Sequence, residues 1–342
     1  MTPEATASGR ARLVDVATRA GVSTATASLV LRGRPGPSAS TADAVRAAAA
    51  ALRYRPDRTA SLLARRRSHL LGVLLDVASP FHAELVRALD SASADRGLDL
   101  VLGTTTPRTD EHRAVETLLD FRCEAIVLLG PHMPDADLTV LASHCPTVTV
   151  GRAGAAGVTG VLAADDQGLE AAVDHLAAAG HQRIAFVDGP RGSIARARRQ
   201  GYRDAMARHG LGAGLDVVRG GADEADGAAA AARMLARRAG DRPTGVIAFN
   251  DRVAIGLRDG LLRSGVGVPD EVSVVGYDDS PMARLGTIAL TSVSQEPEVL
   301  ADVTVGVVAA LLDEASGRGR PDVVIAPRLV VRSSTGAPPG RR

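Results

Sequence analysis

Tryptophan and lysine are absent from this 342-residue chain, and aromatic residues of all kinds make up 2 % of it. A core filled mainly by small and aliphatic side chains is therefore expected. All 40 basic side chains are arginine, a uniformity that reflects compositional bias in the coding DNA and carries no functional reading. Cysteine is nearly missing: Cys123 and Cys145 stand without CxxC or metal-type spacing, which excludes a disulfide framework and predicts two buried, reduced thiols. No run of 18 or more uncharged apolar residues occurs, so no membrane span is expected. The first dozen residues lack the apolar stretch of a secretory signal, and a cytoplasmic protein is expected. GxSxG, HExxH and Walker sequences do not occur. Ser193 has Asp188 nearby but no histidine partner, and Gly210–Gly214 follows a helix where a dinucleotide fingerprint would follow a strand. No catalytic residue, cofactor or metal site is expected.

What is present divides the chain in two. A 45 % hydrophobic share is that of a globular protein, and the length suits two or three domains. The net charge of +1 hides an asymmetry: residues 1–67 hold 12 Arg against Glu4, Asp15, Asp43 and Asp57, a balance of +8, and the remainder carries −7. A small basic head on an acidic body is the footprint of a polyanion-binding module.

Within the head, Leu13–Val30 reads LVDVATRAGVSTATASLV. Val14, Val16, Ala17 and Ala20 recur as a helical stripe, Gly21 stops the helix, and Ser23 is an N-cap for a second helix with Ala27, Val30 and Leu31 on one side. A helix-turn-helix fits this pattern, and so does an ordinary helical hairpin. Ser38 caps a third helix whose face Thr41, Val45, Ala48, Ala49 and Leu52 can close a three-helix core. Pro56 ends it, and Arg58–Ala64 forms a short fourth helix before the Arg65–Arg67 run.

From Leu70 the texture changes. Apolar runs of strand length (Leu70–Leu75, Leu98–Leu102, Ala125–Leu129, Thr147–Val150, Val161–Ala163, Ile184–Val187, Val246–Phe249, Val272–Gly276) alternate with helical stretches (Glu84–Arg96, Glu111–Phe121, Leu169–Ala179, Arg196–His209, Ala225–Ala239, Val253–Ser264). Such alternation predicts parallel sheets covered on both faces, in two Rossmann-like lobes. Ligands of these folds bind beyond the strand carboxyl ends, here Asp76–His82, Asp165–Asp166, Asp188–Ser193, Asn250–Asp251 and Asp278–Asp279.

The segments DVATRAGVSTATASLVLRG (15–33), YRPDRTASLLA (54–64), SPFHAEL (79–85), HLAAAGHQRIAFVDGP (175–190) and AIGLRDGLLRSGVGVPDEVSVVGYDD (254–279) resemble LacI/GalR-type transcriptional repressors in order and spacing. The resemblance implies an all-α helix-turn-helix head at 11–56, a hinge helix and linker at 57–68, and an α/β effector-binding and dimerisation body at 69–335. That body is of the periplasmic-binding-protein type, with lobe 1 at about 69–162 and 292–320 and lobe 2 at about 163–291 and 321–335. It implies a homodimer on a palindromic double-stranded operator, controlled by a small-molecule effector, a sugar or sugar phosphate. A cytosolic sugar-binding protein or sugar-processing enzyme is the alternative.

By the same resemblance, Ser23, Thr24, Ala25, Thr26, Ser28, Leu29 and Arg32 serve DNA binding, with Arg58, Ala60 and the wedge Leu63 in the hinge. Ala25 and Leu29 depart from the longer polar side chains usual there; they can meet a thymine methyl but cannot fork onto guanine. The implied effector-binding residues are Phe81, His82, Asp166, Arg198, Asn250, Asp278 and Gln295, with Arg198 equally able to form a structural bridge to Asp166 or Asp278. No stacking aromatic is evident near Ala222–Ala225. Arg191, Arg196, Arg198 and Arg199 cluster at one strand exit and would suit a phosphorylated or carboxylated effector.

Overall fold

The structure, a computed structural model, describes residues 11–31, 33, 35–54, 67–313 and 319–340. Arg32, Arg34 and nearly all of the expected hinge, with Arg58, Ala60 and Leu63, lie outside the described residues. The chain divides into two units, Met1–Ser68 and His69–Arg342.

The first unit is built on α1 (Leu13–Ala20), α2 (Thr24–Leu31) and α3 (Ala39–Ala51). Gly21 ends α1 at φ 66°, a left-handed conformation that glycine adopts without strain. Ser23 Oγ accepts the Thr26 N–H at 3.1 Å, and Ser38 Oγ accepts that of Thr41 at 3.3 Å. Val16, Ala17, Ala27, Val30, Val45, Ala48 and Ala49 close a small core between the three helices. Val14, expected on the buried stripe, is instead 43 % exposed. Leu13 packs in its place, since 13, 16, 17 and 20 share one helical face.

The second unit holds two six-stranded sheets. The first contains β1 (Leu70–Asp76), β2 (Asp99–Thr105), β3 (Ala125–Leu129), β4 (Thr147–Val150), β5 (Thr159–Ala163) and β11 (Val323–Ile325), in the order β11-β5-β4-β3-β1-β2 and wholly parallel. The second contains β6 (Ile184–Val187), β7 (Asp216–Val218), β8 (Gly245–Ala248), β9 (Ser273–Asp278), β10 (Thr291–Ser294) and β12 (Arg328–Val330), in the order β12-β10-β9-β8-β6-β7, antiparallel only between β10 and β12. The helices are α4 (Pro80–Ala94), α5 (Glu111–Asp120), α6 (Asp135–His144), α7 (Asp165–Ala178), α8 (Ser193–Arg208), α9 (Glu224–Leu235), α10 (Asp251–Arg263) and α11 (Pro297–Asp313). None of the described helices is long and apolar enough to cross a membrane.

Two lobe crossings differ from expectation. β10 pairs with β9 and so belongs to the second lobe through Ser294, and β11 pairs with β5, which keeps the first lobe going to Ile325. The chain therefore changes lobe after Ser294 and after Ile325, past the expected 291/292 and 320/321. The strand Thr291–Ser294 reads TSVS, too polar to stand out as a buried strand, although all four residues are buried. Their hydroxyls find partners inside: Ser292 donates to Asp251 and Thr291 to the Arg332 carbonyl. α11 then crosses over and buries Leu300, Ala301, Val305, Val308 and Leu311 in the first-lobe core with Leu71, Val73, Leu85 and Leu89.

Helix α4 begins four residues before the predicted Glu84. Ser79 Oγ caps it by accepting the His82 N–H at 3.3 Å, and Pro80 fits the first turn, where no backbone donor is needed. That early start carries Phe81 and His82 onto the helix's first turn, beside the exit of β1.

Candidate functional site

The carboxyl ends of both sheets face a cleft of about 640 Å³, a volume that includes solvent at its mouth. From the first lobe come the start of α4 (Ser79, Phe81, His82, Leu85) and the exits of β3 and β4. From the second come Asp165 at the start of α7, Ile194 and Arg198 on α8, Phe249 and Asn250 after β8, and Asp278 at the end of β9, with Gln295 in the crossover. The size and the mix of apolar walls with a few convergent polar groups suit a small ligand. Six of the seven residues implied for effector binding thus stand around one cavity.

The seventh, Asp166, does not. It is exposed, and its neighbour Asp165 faces the cleft instead. Consecutive residues of a helix point about 100° apart, so only one of the pair can meet Arg198. Asp165 accepts Arg198 Nε–H at 3.0 Å and the Tyr277 hydroxyl at 2.7 Å. Arg198 is therefore the structural bridge that the sequence left open, made to Asp165. Its Nη1 donates to the Phe249 carbonyl at 2.5 Å and its Nη2 lies 3.8 Å from Asp278 Oδ1. The guanidinium carbon sits 3.6 Å from the Tyr277 ring centroid and 4.9 Å from that of Phe249. Burial opposes its charge, but Asp165, and to a lesser degree Asp278, raise its pKa above the ordinary value.

Asp278 is held at φ 105° and Asp279 at φ 50°, conformations that L-residues keep only where the surroundings enforce them. Burial raises the Asp278 carboxyl to about 7 against the pull of Arg198, while Gln295 Nε2 donates to it at 2.7 Å. His82 is the converse case. Burial lowers it to about 4, and its Nδ1 accepts the Asp76 N–H at 3.1 Å, which leaves Nε2 as a neutral donor. Asn250 caps α10, accepting Val253 N–H at 2.9 Å and donating to the Ala222 carbonyl at 3.0 Å. One amide N–H and one lone pair of Asn250 remain.

Beneath these residues runs a second polar layer. Asp251 is buried, with its pKa raised to about 6 by desolvation, and accepts the Ser292 hydroxyl and the Ser280 N–H, each at 2.6 Å. Gly276 makes room for it, because a Cβ there would lie 2.1 Å from Asp251 Oδ1. Asp279 pairs with Arg332 at 2.7 Å and with Arg284 at 3.4 Å, and Arg284 reaches Glu84 of α4 at 3.2 Å. Glu84 is buried, which raises its pKa, and Arg284 partly offsets this. The dipeptide Asp278-Asp279 thus joins the cleft to ion pairs that cross from the second lobe to the first. Arg252 adds another crossing by donating to the Ala78 carbonyl at 3.0 Å.

Phe249 and Ile194 line the cleft although neither was among the residues implied for effector binding, and Asp165, expected at a strand exit, stands where Asp166 was implied. Phe249 had a signal: it is one of four phenylalanines in the chain and directly precedes Asn250 at a strand exit. The expected arginine cluster does not converge on the cavity. Arg199 pairs with Asp188, Arg191 and Arg196 are exposed, and only Arg198 lines the cleft.

In the first unit, Ser23, Thr24 and Ala25 are exposed at the start of α2, Leu29 is 42 % exposed, and Thr26 and Ser28 are half-buried. Thr26 Oγ1 also lies 2.9 Å from Ser23 Oγ. Short side chains of this kind let a helix approach a partner surface closely, with two hydroxyls able to donate or accept.

Residues 12–57 match the family described as bacterial regulatory proteins, lacI family, and residues 173–335 match the periplasmic binding protein-like domain. The HTH-type transcriptional regulator GalR of Escherichia coli strain K12 is 34 % identical over 336 residues, covering 96 % of this chain and 96 % of GalR. Among solved structures, a lac repressor dimer bound to operator and the anti-inducer ONPF superposes with TM-score 0.80 at 28 % identity, over 96 % of this chain and 100 % of that one. A complex of the transcriptional regulator CelR with cellobiose gives TM-score 0.68 at 29 % identity, over 95 % and 100 % of the two chains.

Proposed function

This chain belongs to the LacI family of bacterial regulatory proteins, and from that premise we infer that it is a DNA-binding transcriptional repressor governed by a sugar effector. The observation that carries the reading is the coexistence, in one chain, of a helix-turn-helix unit and a two-lobed cleft whose polar groups converge on a small volume. Ser23, Thr24, Ala25, Thr26, Ser28 and Leu29 present the reading face of α2 to the major groove, with weak discrimination by the hydroxyls and apolar contact from Ala25 and Leu29. Arg32 and Arg58 hold phosphates. Ala60 and Leu63 enter the minor groove from paired hinge segments, where a leucine wedge unstacks a base step and opens the duplex.

In the body, Phe81, His82, Phe249, Asn250, Asp278 and Gln295 hold the effector, with the Arg198–Asp165 bridge fixing the second-lobe wall. The protein works as a homodimer joined through the body, so that two heads meet the two halves of a palindromic operator. It is a cytoplasmic regulator and carries out no catalysis. Closure of the lobes on the effector changes how the two hinges are presented, and operator affinity follows.

The test is an anisotropy titration of a genomic fragment upstream of the gene, at two salt concentrations, with wild type and Leu63→Ala. Tight binding that falls steeply with salt and weakens in Leu63→Ala is expected. Binding no tighter than to random DNA under every condition contradicts the repressor reading.

A further inference from the structure

The effector reading of the cleft leaves open whether its ligand carries charge, and the side chains around the cavity decide this. Among the described residues, four titratable groups line it: His82, Asp165, Arg198 and Asp278. We propose that the cleft selects an uncharged polyhydroxylated ligand and rejects phosphorylated and carboxylated sugars, with the Arg198–Asp165–Asp278 cluster as the selecting element. This inference rests on the effector-binding reading above.

Arginine normally recognises a phosphate or carboxylate by offering two parallel N–H groups of its planar fork. Among the described lining residues Arg198 is the single permanent cation, and its fork is already in use. Nε is bound to Asp165, Nη1 to the Phe249 carbonyl, and Nη2 faces Asp278. The guanidinium also lies against the rings of Tyr277 and Phe249. An incoming anion would have to displace Asp165, which also holds the Tyr277 hydroxyl, and would then meet the Asp278 carboxyl at close range. In a site of low dielectric that repulsion is large once Asp278 is ionised, above about pH 7. The one arginine and two carboxylates sum to zero or less, whatever the protonation of Asp278. His82 adds no positive charge, because its Nδ1 is an acceptor for the Asp76 N–H and its Nε2 is a neutral donor.

Helix N-termini are the other usual place for an anion; three of the four around the cleft already meet a capping side chain or acids of their own, and only that of α8 has neither. α4 is capped by Ser79, α10 by Asn250, and α7 begins with Asp165 and Asp166. α8 turns the apolar Ile194 toward the cavity, while Arg191 and Arg196 stay exposed away from its lining. What remains open is a set of neutral or acceptor groups: His82 Nε2–H, the unused amide N–H and lone pair of Asn250, the Gln295 carbonyl and an Asp278 oxygen. Phe81 and Phe249 supply apolar surface beside them. Hydroxyl groups, which both donate and accept, match such a set, and the C–H faces of a sugar ring match the phenyl groups.

The inference is tested by calorimetric titration of the full-length protein. The probes are D-ribose, D-galactose, D-glucose and cellobiose, set against ribose 5-phosphate, glucose 6-phosphate, galacturonate and inorganic phosphate. Operator binding is read in parallel. A neutral member is expected to bind at least 100-fold more tightly than its charged counterpart and to shift operator affinity. At pH 8, where the wild-type carboxyl is ionised, the ratio of neutral to anionic affinity should fall about tenfold in Asp278→Asn, since one negative charge leaves the wall; a ratio unchanged in that variant contradicts the assigned role of the cluster. A phosphorylated or carboxylated sugar that binds as tightly as its neutral parent and shifts operator affinity overturns the selectivity and leaves the effector reading intact. If neither class binds or alters operator affinity, the sugar-effector reading itself fails and the inference falls with it.

Discussion

The two walls of the cleft are built on opposite plans. The first lobe offers apolar surface, Phe81, Leu85, Leu129 and Val150, with one neutral histidine donor. The second lobe offers every charged lining group, and those charges are bound to one another before any ligand arrives: Arg198 to Asp165 and the Phe249 carbonyl, Asp278 to Gln295. Preorganised polar groups on one side can hold a ligand in a fixed orientation, while an apolar wall on the other can close over it without losing hydrogen bonds to water. On the effector reading proposed above, the second lobe would orient the ligand and the first would close over it. The ion pairs from Asp279 through Arg284 to Glu84 join the two lobes.

The division can be broken most forcefully at Asp165. Asp165→Ala leaves Arg198 buried without its main partner, and about 3–5 kcal/mol of body stability should be lost, as is typical when one member of a buried pair is removed. Urea unfolding followed by circular dichroism reads this, and Asp166→Ala, next in sequence but exposed, should change stability by no more than about 0.5 kcal/mol. Equal losses in the two variants would mean that the second-lobe wall is not organised around Arg198.

An effect spread over several pH units sharpens the contrast. The Asp278 carboxyl titrates near 3.8 when unfolded and near 7 when folded, because burial disfavours its charge. Between these values the folded chain holds a proton that the unfolded chain has released, so raising the pH costs the native state stability across that window. Relative to Asp278→Asn, wild type should lose stability from about pH 4 to pH 7, by up to about 1.4 kcal/mol per pH unit, and hold level above. A difference that grows in favour of wild type over that range would contradict the buried placement.

On the first-lobe wall the expected change is smallest. His82→Ala removes one neutral donor and should weaken binding of a neutral sugar about tenfold, roughly the worth of one hydrogen bond. Fold stability should change far less than in Asp165→Ala.

Much of this architecture was legible in the sequence because it rests on local chemistry. Gly21, Ser23 and Ser38 mark helix ends by conformational freedom and capping, and the unbroken apolar runs of β1, β3 and β6 announce parallel strands. Where packing decides instead of local pattern, the reading slipped. Asp165 and Asp166 are chemically identical, and only the rotation of α7 against α8 determines which one meets Arg198. Phe249 looked like the last residue of a strand until β8 ended at Ala248 and turned it toward the cleft. Thr291–Ser294 is a buried strand without an apolar run, since its hydroxyls are satisfied by Asp251 and the Arg332 carbonyl, which are distant in sequence. The arginine cluster looked like an anion site because pairing to Asp165 and Asp188 depends on tertiary contacts that no spacing encodes.

The most direct test of the division between lobes is one paired titration on wild type and Arg284→Ala. Sugar affinity is measured by calorimetry with the tightest neutral ligand, and operator affinity is measured with that ligand absent and at saturation. If Arg284 links binding to reporting, Arg284→Ala should bind the sugar within about threefold of wild type while the ligand-driven change in operator affinity shrinks at least about tenfold. A variant that binds the sugar and still shifts operator affinity as fully as wild type would contradict the account.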